Sequence, residues 1–516
     1  MNDKGGPSLM WSMWKRFLIA GVVIVGLSGA ATATVALNEV SSIAHQVFPE
    51  LSHISAPKGL LTQEYGGGPQ TFLILGSDRR TGSKNESERD ASPHSDTILL
   101  VRFDPAQGQT SVLSIPRDLM VNITTPSGQV YTQEKINAAY TIGSQIGGAN
   151  EASVLAAETI KHEVFPALKL NGIVDVNFSG FIKVVDTLGC AYVMVDHRYY
   201  NENVGTTETD YTSINLQPGY QKLCYENALD YVRYRHTDDD LVRVARQQDF
   251  LRDLREQLNP ANELGQIETV AKAVGHAIRT NFPASASELI LLGKLVAFSQ
   301  TKPLRQVKFL TTNIDDQVPG GGDYVTSSPE LEQQTLNTFL NDGEHTHLST
   351  SHSSSGHSSS HHHHHSSHSV SPAAIGLYPT SSSGEDELVK ESLSVPFRPL
   401  YPALQTGPAE QQMVRAYTLK DEHGRPHHAY VIVWQQNIIG GYYDFEATDW
   451  LGPPLFAHSR SQNIGGIEYK IVEDGSHIHI VGWVSKHVLY WLSNTLLEEL
   501  TNAQMLAIAK SAQPLR

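Results

Sequence analysis

The sequence has little cysteine and a deficit of basic charge. Cys190 and Cys224 are the only cysteines among 516 residues, so the chain can form at most one internal disulfide. Outside a membrane this pair forms a disulfide by default, whereas in the cytosol it stays as two buried thiols. The 38 lysines and arginines are outnumbered by 54 aspartates and glutamates, which gives a formal net charge of -16. This acidic balance argues against nucleic acid as the main partner.

One long run without charge stands near the N-terminus. Residues 17–37 contain no charged side chain and are numerous enough to span a bilayer as a helix. Lysine and arginine precede this run, which predicts that residues 1–16 stay in the cytoplasm and that the rest of the chain lies outside. The competing interpretation is a cleaved signal peptide, since Ala31-Thr32-Ala33 resembles a cleavage site. An extracytoplasmic setting favours the disulfide.

Composition divides the remaining chain into four parts, as the length also suggests. Residues 38–69 predict a stalk, and residues 70–340 predict a first globular domain. Residues 341–384 are dominated by serine, histidine and glycine. They cannot form a core and predict a disordered linker. Residues 385–516 regain a globular composition and predict a smaller C-terminal α+β domain.

Strand and helix patterns alternate in the first domain. Apolar runs predict strands at residues 71–78, 96–104, 110–116, 173–176, 192–195 and 307–311. Helical patterns occur at residues 135–140, 151–165, 178–188, 225–258, 265–280, 286–298 and 329–340, and residues 199–219 predict a polar loop. This alternation predicts a three-layer α-β-α domain around a central mixed sheet, and therefore an α/β fold class.

The C-terminal part carries clear structural signals and no catalytic constellation. Residues 467–472 and 477–483 alternate across Asp474-Gly475, which is a hairpin pattern. Thr501-Asn-Ala-Gln504 is a capping box that predicts the start of a terminal helix. His477 and His479 share one strand face, which predicts a surface pair rather than a metal site.

A short stretch concentrates positive charge within this acidic chain. Arg233 and Arg235 are two positions apart, so on an extended segment they point to the same face. Arg243 and Gln247 are four positions apart, so on a helix they share a face. Converging guanidinium groups suit a phosphate or pyrophosphate. The alternative is a salt-bridged surface around residues 238–240, all three of which are aspartate.

Several stretches taken together resemble the LytR-CpsA-Psr family. They are Phe72-Leu-Ile-Leu-Gly-Ser-Asp78, Ser95-Asp96-Thr97, Ser114-Ile-Pro-Arg-Asp118, Lys135-Ile-Asn137, residues 175–189 and the arginine stretch 225–251. Each is weak alone. Their order behind an N-terminal anchor makes the resemblance specific over residues 70–255 and weaker beyond.

The resemblance implies a transferase that acts outside the membrane. Such proteins move a cell-wall glycopolymer from a polyprenyl-pyrophosphate carrier to a muramic acid hydroxyl of peptidoglycan. The implied partners are the lipid-linked glycan, peptidoglycan and the membrane, and the implied location is the cell membrane with a single pass. A lipid-pyrophosphate pyrophosphatase would use the same site with water as the acceptor. A non-enzymatic cell-envelope regulator or wall-binding protein would keep only the fold.

The resemblance also assigns roles to individual residues by position. Asp78 and Asp96 match carboxylates that hold Mg²⁺, with Mn²⁺ as the second candidate. The residues expected at the pyrophosphate are Arg117, Arg233 and Arg235 as catalytic groups, and Arg243, Gln247, Arg246, Lys135, Arg89 and His94 as substrate-binding groups.

This sequence departs from the family pattern in three respects, one of which is that Val242 replaces the glycine before Arg243. His94 stands where the family usually has an arginine, two residues before the second aspartate. Arg89, Arg79, Arg80 or a protonated His94 would have to supply that charge. The two cysteines stand where glycine is usual, and this paired change fits a disulfide that ties the site helix to the sheet.

Overall fold

The computed structural model describes residues 52–62, 68–78, 93–124, 130–202, 213–234, 240–257, 278–281, 304–317, 323–341, 371–380, 393–436 and 441–515. The predicted anchor at residues 17–37, the predicted helix at 286–298 and most of the predicted linker lie outside these ranges. Within them, no helix is both long enough and apolar enough to cross a membrane.

The first domain has a mixed β-sheet at its centre and further short strands around it. Its strands are β1 (Ser52–His53), β2 (Gln70–Ser77), β3 (Ser95–Asp104), β4 (Gln109–Ser114), β5 (Met120–Thr124), β6 (Val130–Lys135), β7 (Gly172–Asn177), β8 (Ala191–Val195), β9 (Tyr199–Asn201), β10 (Ile214–Leu216), β11 (Gly219–Leu223), β12 (Ile278–Thr280), β13 (Leu304–Val307), β14 (Asn313–Gln317) and β15 (Asp323–Thr326). Its helices are α1 (Ala138–Thr159), which a π-helical turn continues over Ile160–Val164, then α2 (Phe178–Thr187), α3 (Tyr225–Arg233), α4 (Asp240–Glu256) and α5 (Pro329–Leu340).

The main sheet has seven strands in the order β1-β12-β7-β2-β3-β4-β13. At its centre, β2 pairs parallel with β7 and antiparallel with β3. The sheet is therefore mixed, and the domain is α/β as predicted. Because both faces of β2 are covered, its sequence is a continuous apolar run rather than an alternating one.

Two hydrophobic clusters pack on opposite faces of this sheet. Phe72 of β2 belongs to the cluster that includes side chains of α2, α3 and α4. Its neighbours Leu73 and Leu75 belong to the other cluster, with side chains of α1 and α5. The division follows from the two-residue period of a strand, in which successive side chains point to opposite faces. Helices thus cover both sides of β2 and of the residues that follow it.

Local signals set the ends and breaks of the helices. Asn177 caps α2 by accepting a backbone hydrogen bond, and Ser328 caps α5 with Pro329 at its first turn. A kink inside α1 lies at Gly147-Gly148, where Gly148 has φ 70° and ψ -156°. Glycine adopts this positive φ without the steric penalty of a side chain.

Two predicted segments near the ends of the first domain are wrong. Residues 52–62 are not a stalk, because β1 pairs with β12 and both Ile54 and Leu60 are buried in the core. The strand expected at residues 307–311 runs earlier, as β13, where it pairs in parallel with β4. Strands β14 and β15 follow it. These segments are short and contain few apolar residues, so the sequence alone does not show that they pair at the edges of the sheet.

Three interior predictions also need correction. Residues 135–140 end strand β6 before α1 begins at Ala138, so they are not one helix. Residues 199–219 are not only a loop, since they contain β9 and β10, and Tyr199 is fully buried. Residues 278–280 of the helix predicted at 265–280 form strand β12, which pairs with β7, and the rest of that prediction lies outside the described residues. In the first two cases pairing with a strand nearby in sequence overrides the local pattern, and in the third pairing with distant β7 does so.

The two cysteines form the predicted disulfide. Cys190 and Cys224 are bonded at 2.02 Å, with their Cα atoms 4.8 Å apart. Cys190 follows α2 at the start of β8, and Cys224 immediately precedes α3. The bond therefore fixes the start of the helix whose last residue is Arg233.

Replacing both cysteines with serine is expected to lower the free energy of unfolding by about 2–4 kcal/mol, since the closed loop restricts the unfolded chain. Denaturant unfolding of the oxidised protein and of the double variant measures this difference. A reducing agent should move the wild-type midpoint toward the variant and leave the variant unchanged. Two free thiols in air-purified, folded protein would contradict the assignment.

The C-terminal domain is an antiparallel sheet with a terminal helix. Its strands are β16 (Leu377–Pro379), β17 (Leu400–Pro402), β18 (Leu404–Thr406), β19 (Glu410–Lys420), β20 (Pro426–Gln435), β21 (Tyr442–Thr448), β22 (Arg460–Ile464), β23 (Ile467–Asp474), β24 (His477–Ser485), β25 (Val488–Ser493) and β26 (Ala512–Pro514), and its helix is α6 (Asn502–Lys510). Seven of them form one sheet in the order β19-β20-β21-β25-β24-β23-β22. The predicted hairpin is β23–β24, and the predicted capping box joins Thr501 and Gln504 at the start of α6.

Two predictions for this part of the chain are corrected. A short 3₁₀ helix at Pro372–Ile375 and strand β16 lie inside the segment predicted as linker, and β16 pairs with β18. His477 and His479 are not a surface pair. His479 is buried, and its ring nitrogens face Asp249 and Glu498. His479 is buried because the first domain covers this face of β24.

The two domains pack against each other through aromatic and polar contacts. Tyr192 and Tyr220 of the first domain cluster with Trp450 of the C-terminal domain. The Tyr220 amide donates to Glu446 Oε2 at 3.0 Å, and the Tyr417 hydroxyl donates to the same oxygen at 2.8 Å. The Glu446 carboxylate is therefore buried in the interface between the two domains.

Glu446 is expected to make stability depend on pH. Burial raises its pKa from 4.5 to about 7, although both hydrogen bonds lower it. The folded state therefore binds this proton more tightly than the unfolded chain, and stability falls as pH rises from about 4.5 to 7. Between pH 5 and 7.5 the wild type should lose on the order of 2 kcal/mol more than Glu446→Gln.

Urea unfolding at both pH values gives this comparison. Glu468→Gln, a change at an exposed acid of the same domain, is the matched control and should keep the wild-type pH dependence. If Glu446→Gln has the same dependence as wild type, the sealed carboxylate is not its source.

Candidate active site

A β-bulge brings the two predicted metal-binding aspartates to the same place. In the β2–β3 pair, Gly76 faces Thr97 and Ser77 faces Ser95, so Asp96 has no partner opposite. A bulge of this kind bends the strand and redirects a side chain. A Cβ on Gly76 would lie 2.8 Å from the Thr97 Cβ, so the approach requires glycine.

Asp78 is held just beyond this bulge. Its amide donates to the His94 carbonyl at 3.1 Å, and its Oδ1 accepts from the His94 amide at 2.6 Å. Asp78 and Asp96 consequently line one cavity of about 440 Å³. Asp78 and Asp96 therefore lie together where β2 ends and β3 begins.

An ion-pair chain runs along the same cavity. Arg117 Nη1 lies 2.7 Å from Asp96 Oδ1, and Arg117 Nε lies 3.2 Å from Asp118 Oδ2. The other Asp118 oxygen, Oδ1, is 2.9 Å from Lys135 Nζ. Arg117 and Lys135 are thus fixed by carboxylates and still line the cavity. Such pre-oriented donors suit an anionic group, because guanidinium N–H groups recognise phosphate oxygens.

The pKa values of the two carboxyls move in opposite directions. Burial raises the pKa of Asp78, with a further rise from nearby Asp96, and the His94 amide and Arg233 offset only part of this. Burial also acts to raise the pKa of Asp96, but Arg117 and Arg243 outweigh it and hold that pKa below its usual value. Asp96 is therefore the more firmly ionised of the pair.

The arginine stretch approaches these aspartates from α3 and α4. Arg233 ends α3, and its guanidinium lies 4.0 Å from the ring centre of Phe178. Its charge lowers the pKa of Asp78, and that of Arg243 lowers the pKa of Asp96. Two of the predicted arginines are therefore within electrostatic range of the carboxylates.

Two other predicted residues lie elsewhere. Arg246 is fully buried: its Nη1 donates to the Tyr234 carbonyl at 2.8 Å and its Nε to the Tyr199 hydroxyl at 3.1 Å. Gln247 is buried and donates to the Val232 carbonyl at 3.1 Å, which joins α3 to α4. The structure gives both residues a packing role in place of the predicted contact with substrate. Arg235 and Arg89 lie outside the described residues.

Sequence reasoning missed two acidic residues of the site. Asp118 pairs with both Arg117 and Lys135, and its place in the Ser114–Asp118 stretch was the available signal. Asp175 is buried beneath the site and accepts hydrogen bonds from Ser77 and Tyr140. Burial raises its pKa. Asp175 is the first residue of the stretch 175–189 that resembles the family, and this was the available signal.

The donor set at Asp78 and Asp96 fits Mg²⁺. This ion often takes one or two carboxylates and completes its shell with phosphate oxygens and water. Across the described ranges, no group of three or more histidine, cysteine, aspartate or glutamate side chains is arranged to hold a metal ion. Two carboxylates leave most of the coordination shell of Mg²⁺ open, so they suit an ion that binds together with a phosphorylated substrate.

The model of the LytR_cpsA_psr family matches residues 38–339. The chain belongs to the LytR-CpsA-Psr family. The LytR-CpsA-Psr match contains the whole cavity described above and ends before the C-terminal domain. It confirms the resemblance inferred from the sequence stretches.

Named relatives match the same part of the chain. Biofilm regulatory protein A of Streptococcus mutans is 27% identical over 275 residues, which are 52% of this chain and 62% of that protein. Polyisoprenyl-teichoic acid–peptidoglycan teichoic acid transferase TagT of Bacillus subtilis is 27% identical over 331 residues, 63% of this chain and 92% of that protein. The chain spans 62% of the length of the first curated relatives it matches.

The crystal structure of TagV from B. subtilis is similar over a comparable region. It covers 53% of this chain and 97% of the TagV chain, at 23% sequence identity and a TM-score of 0.41.

Proposed function

We propose that this LytR-CpsA-Psr protein is an extracytoplasmic phosphotransferase. It moves a glycopolymer from a polyprenyl-pyrophosphate carrier to a hydroxyl of peptidoglycan. The observation that supports this most is the shared cavity, where Asp78 and Asp96 stand beside Arg117 and Lys135. Family membership and the name of the TagT relative point to the same class of reaction.

Different side chains of the site would perform different parts of such a transfer. Arg117 is clamped by two carboxylates and presents fixed donors to the diphosphate, and Lys135 adds a second charge. Phosphoryl transfer depends mainly on positioning and on stabilising charge that develops on phosphate oxygens. Mg²⁺ held by Asp78 and Asp96 would neutralise part of that charge when bound.

The proposal places the protein in the cell membrane. Residues 17–37 anchor it with the N-terminus inside, so that the lipid carrier and the wall are both within reach. Protease added to intact protoplasts should digest residues after 70. Protection of those residues would contradict this topology.

One experiment separates the proposed transfer from its alternatives. Purified full-length protein is given a lipid-pyrophosphate donor and Mg²⁺, with and without an acceptor glycan. Transfer predicts glycan-linked product only when the acceptor is present. Equal release of phosphorylated polyprenol without acceptor would instead identify a pyrophosphatase, and no release in either case would leave a regulator or wall-binding protein.

Arg233→Lys is expected to weaken binding of the diphosphate about tenfold or more. Lysine keeps the charge but loses the planar fork that grips two phosphate oxygens and stacks on Phe178. Titration with a short-chain polyprenyl pyrophosphate measures the change. Arg398→Lys, in the C-terminal domain, is the control and should bind as wild type; equal affinity in Arg233→Lys would remove Arg233 from the site.

A further inference from the structure

A second cavity, of about 660 Å³, lies between the two domains. One wall consists of the edge strand β13 and its neighbour β4, together with Val244 and Gln248 of α4. The other wall is the turn between β23 and β24 and the loop at residues 496–498. The family match ends at residue 339. The second wall is therefore contributed by a part of the chain that the family does not define.

This interdomain cavity adjoins the active site through two segments. Pro116 lines the interdomain cavity, and the next residue, Arg117, lines the active-site cavity. Val244 lines the interdomain cavity, and the preceding Arg243 lowers the pKa of Asp96. A ligand in the interdomain cavity would thus lie directly behind the groups that face the diphosphate.

The lining offers amide groups over an apolar floor. Gln107, Gln109 and Gln248 supply side-chain amides, and Val307 and Phe309 supply buried apolar surface. Gln248 is only 6% exposed and lines the cavity. The cavity has the size that small-molecule sites occupy.

The charged residues around the cavity are largely used within the protein. Asp474 Oδ1 accepts from the Gln306 amide at 3.0 Å, and Glu498 Oε1 lies 3.5 Å from His479 Nδ1. Arg305 donates to the Asn341 carbonyl at 3.0 Å. Lys308 is a further cation of the lining, so the cavity offers a phosphate few charges, and a lipid chain would not use the glutamine amides. A ligand with hydroxyl and acetamide groups and apolar ring faces satisfies both kinds of surface.

We propose that the interdomain cavity binds a saccharide strand, an inference that rests on the proposed function. The strand is either the acceptor glycan of peptidoglycan or the polymer being transferred, since both present the same hydroxyl-rich chemistry. In this arrangement the C-terminal domain helps to hold a glycan beside the reacting groups.

Calorimetry with the full chain in detergent, without lipid donor, tests the cavity directly. The probes are a tetrasaccharide of alternating N-acetylglucosamine and N-acetylmuramic acid and a neutral hexose tetrasaccharide, maltotetraose. Binding of the first alone identifies the acceptor, and binding of the second alone identifies the transferred polymer. Ser476→Trp, at the exposed turn, should fill the cavity and weaken binding at least tenfold.

Two further variants test whether Ser476→Trp weakens binding by filling the cavity or by disturbing the fold. Gln248→Leu removes an amide from the cavity lining with little change of size and should also weaken binding at least tenfold. His423→Trp adds the same indole at an exposed turn of the same domain that does not line the cavity, and it should bind as wild type.

Wild-type affinity in folded Ser476→Trp, or no binding of either probe to wild type, would overturn the proposal. If wild type binds a probe but turns over no lipid-pyrophosphate donor, the proposed function fails and the saccharide cavity stands.

Discussion

Asp96→Asn is expected to lower turnover of a lipid-pyrophosphate donor by about 10²–10³-fold, the usual effect of removing one electrostatic group from an active site. Asparagine keeps the size of the side chain but loses the charge that pairs with Arg117 at 2.7 Å. Arg117 retains Asp118 as a partner, so the fold should persist. The measurement is release of phosphorylated polyprenol across a Mg²⁺ titration. The variant should also respond less to the metal.

Asp104→Asn is the matched control for this experiment. Asp104 lies at the other end of the same strand and forms its own ion pair with Arg102 at 2.8 Å. Its replacement should leave turnover near the wild-type level. If Asp96 only neutralises Arg117, Asp96→Asn should lose stability and keep its turnover. Wild-type turnover in the folded variant would therefore remove Asp96 from the catalytic site.

Arg252→Ala is expected to destabilise the protein by about 3–5 kcal/mol, because removing one member of a buried ion pair leaves the other charge without compensation. Arg252 is buried on α4, contacts Asp249 and lies 3.7 Å from Asp474 of the C-terminal domain. Those carboxylates hold its pKa above the usual value despite burial. The same helix carries Arg243, so loosening it should also weaken binding of the diphosphate.

Denaturant unfolding followed by tryptophan fluorescence measures this loss, since four of the six tryptophans belong to the C-terminal domain...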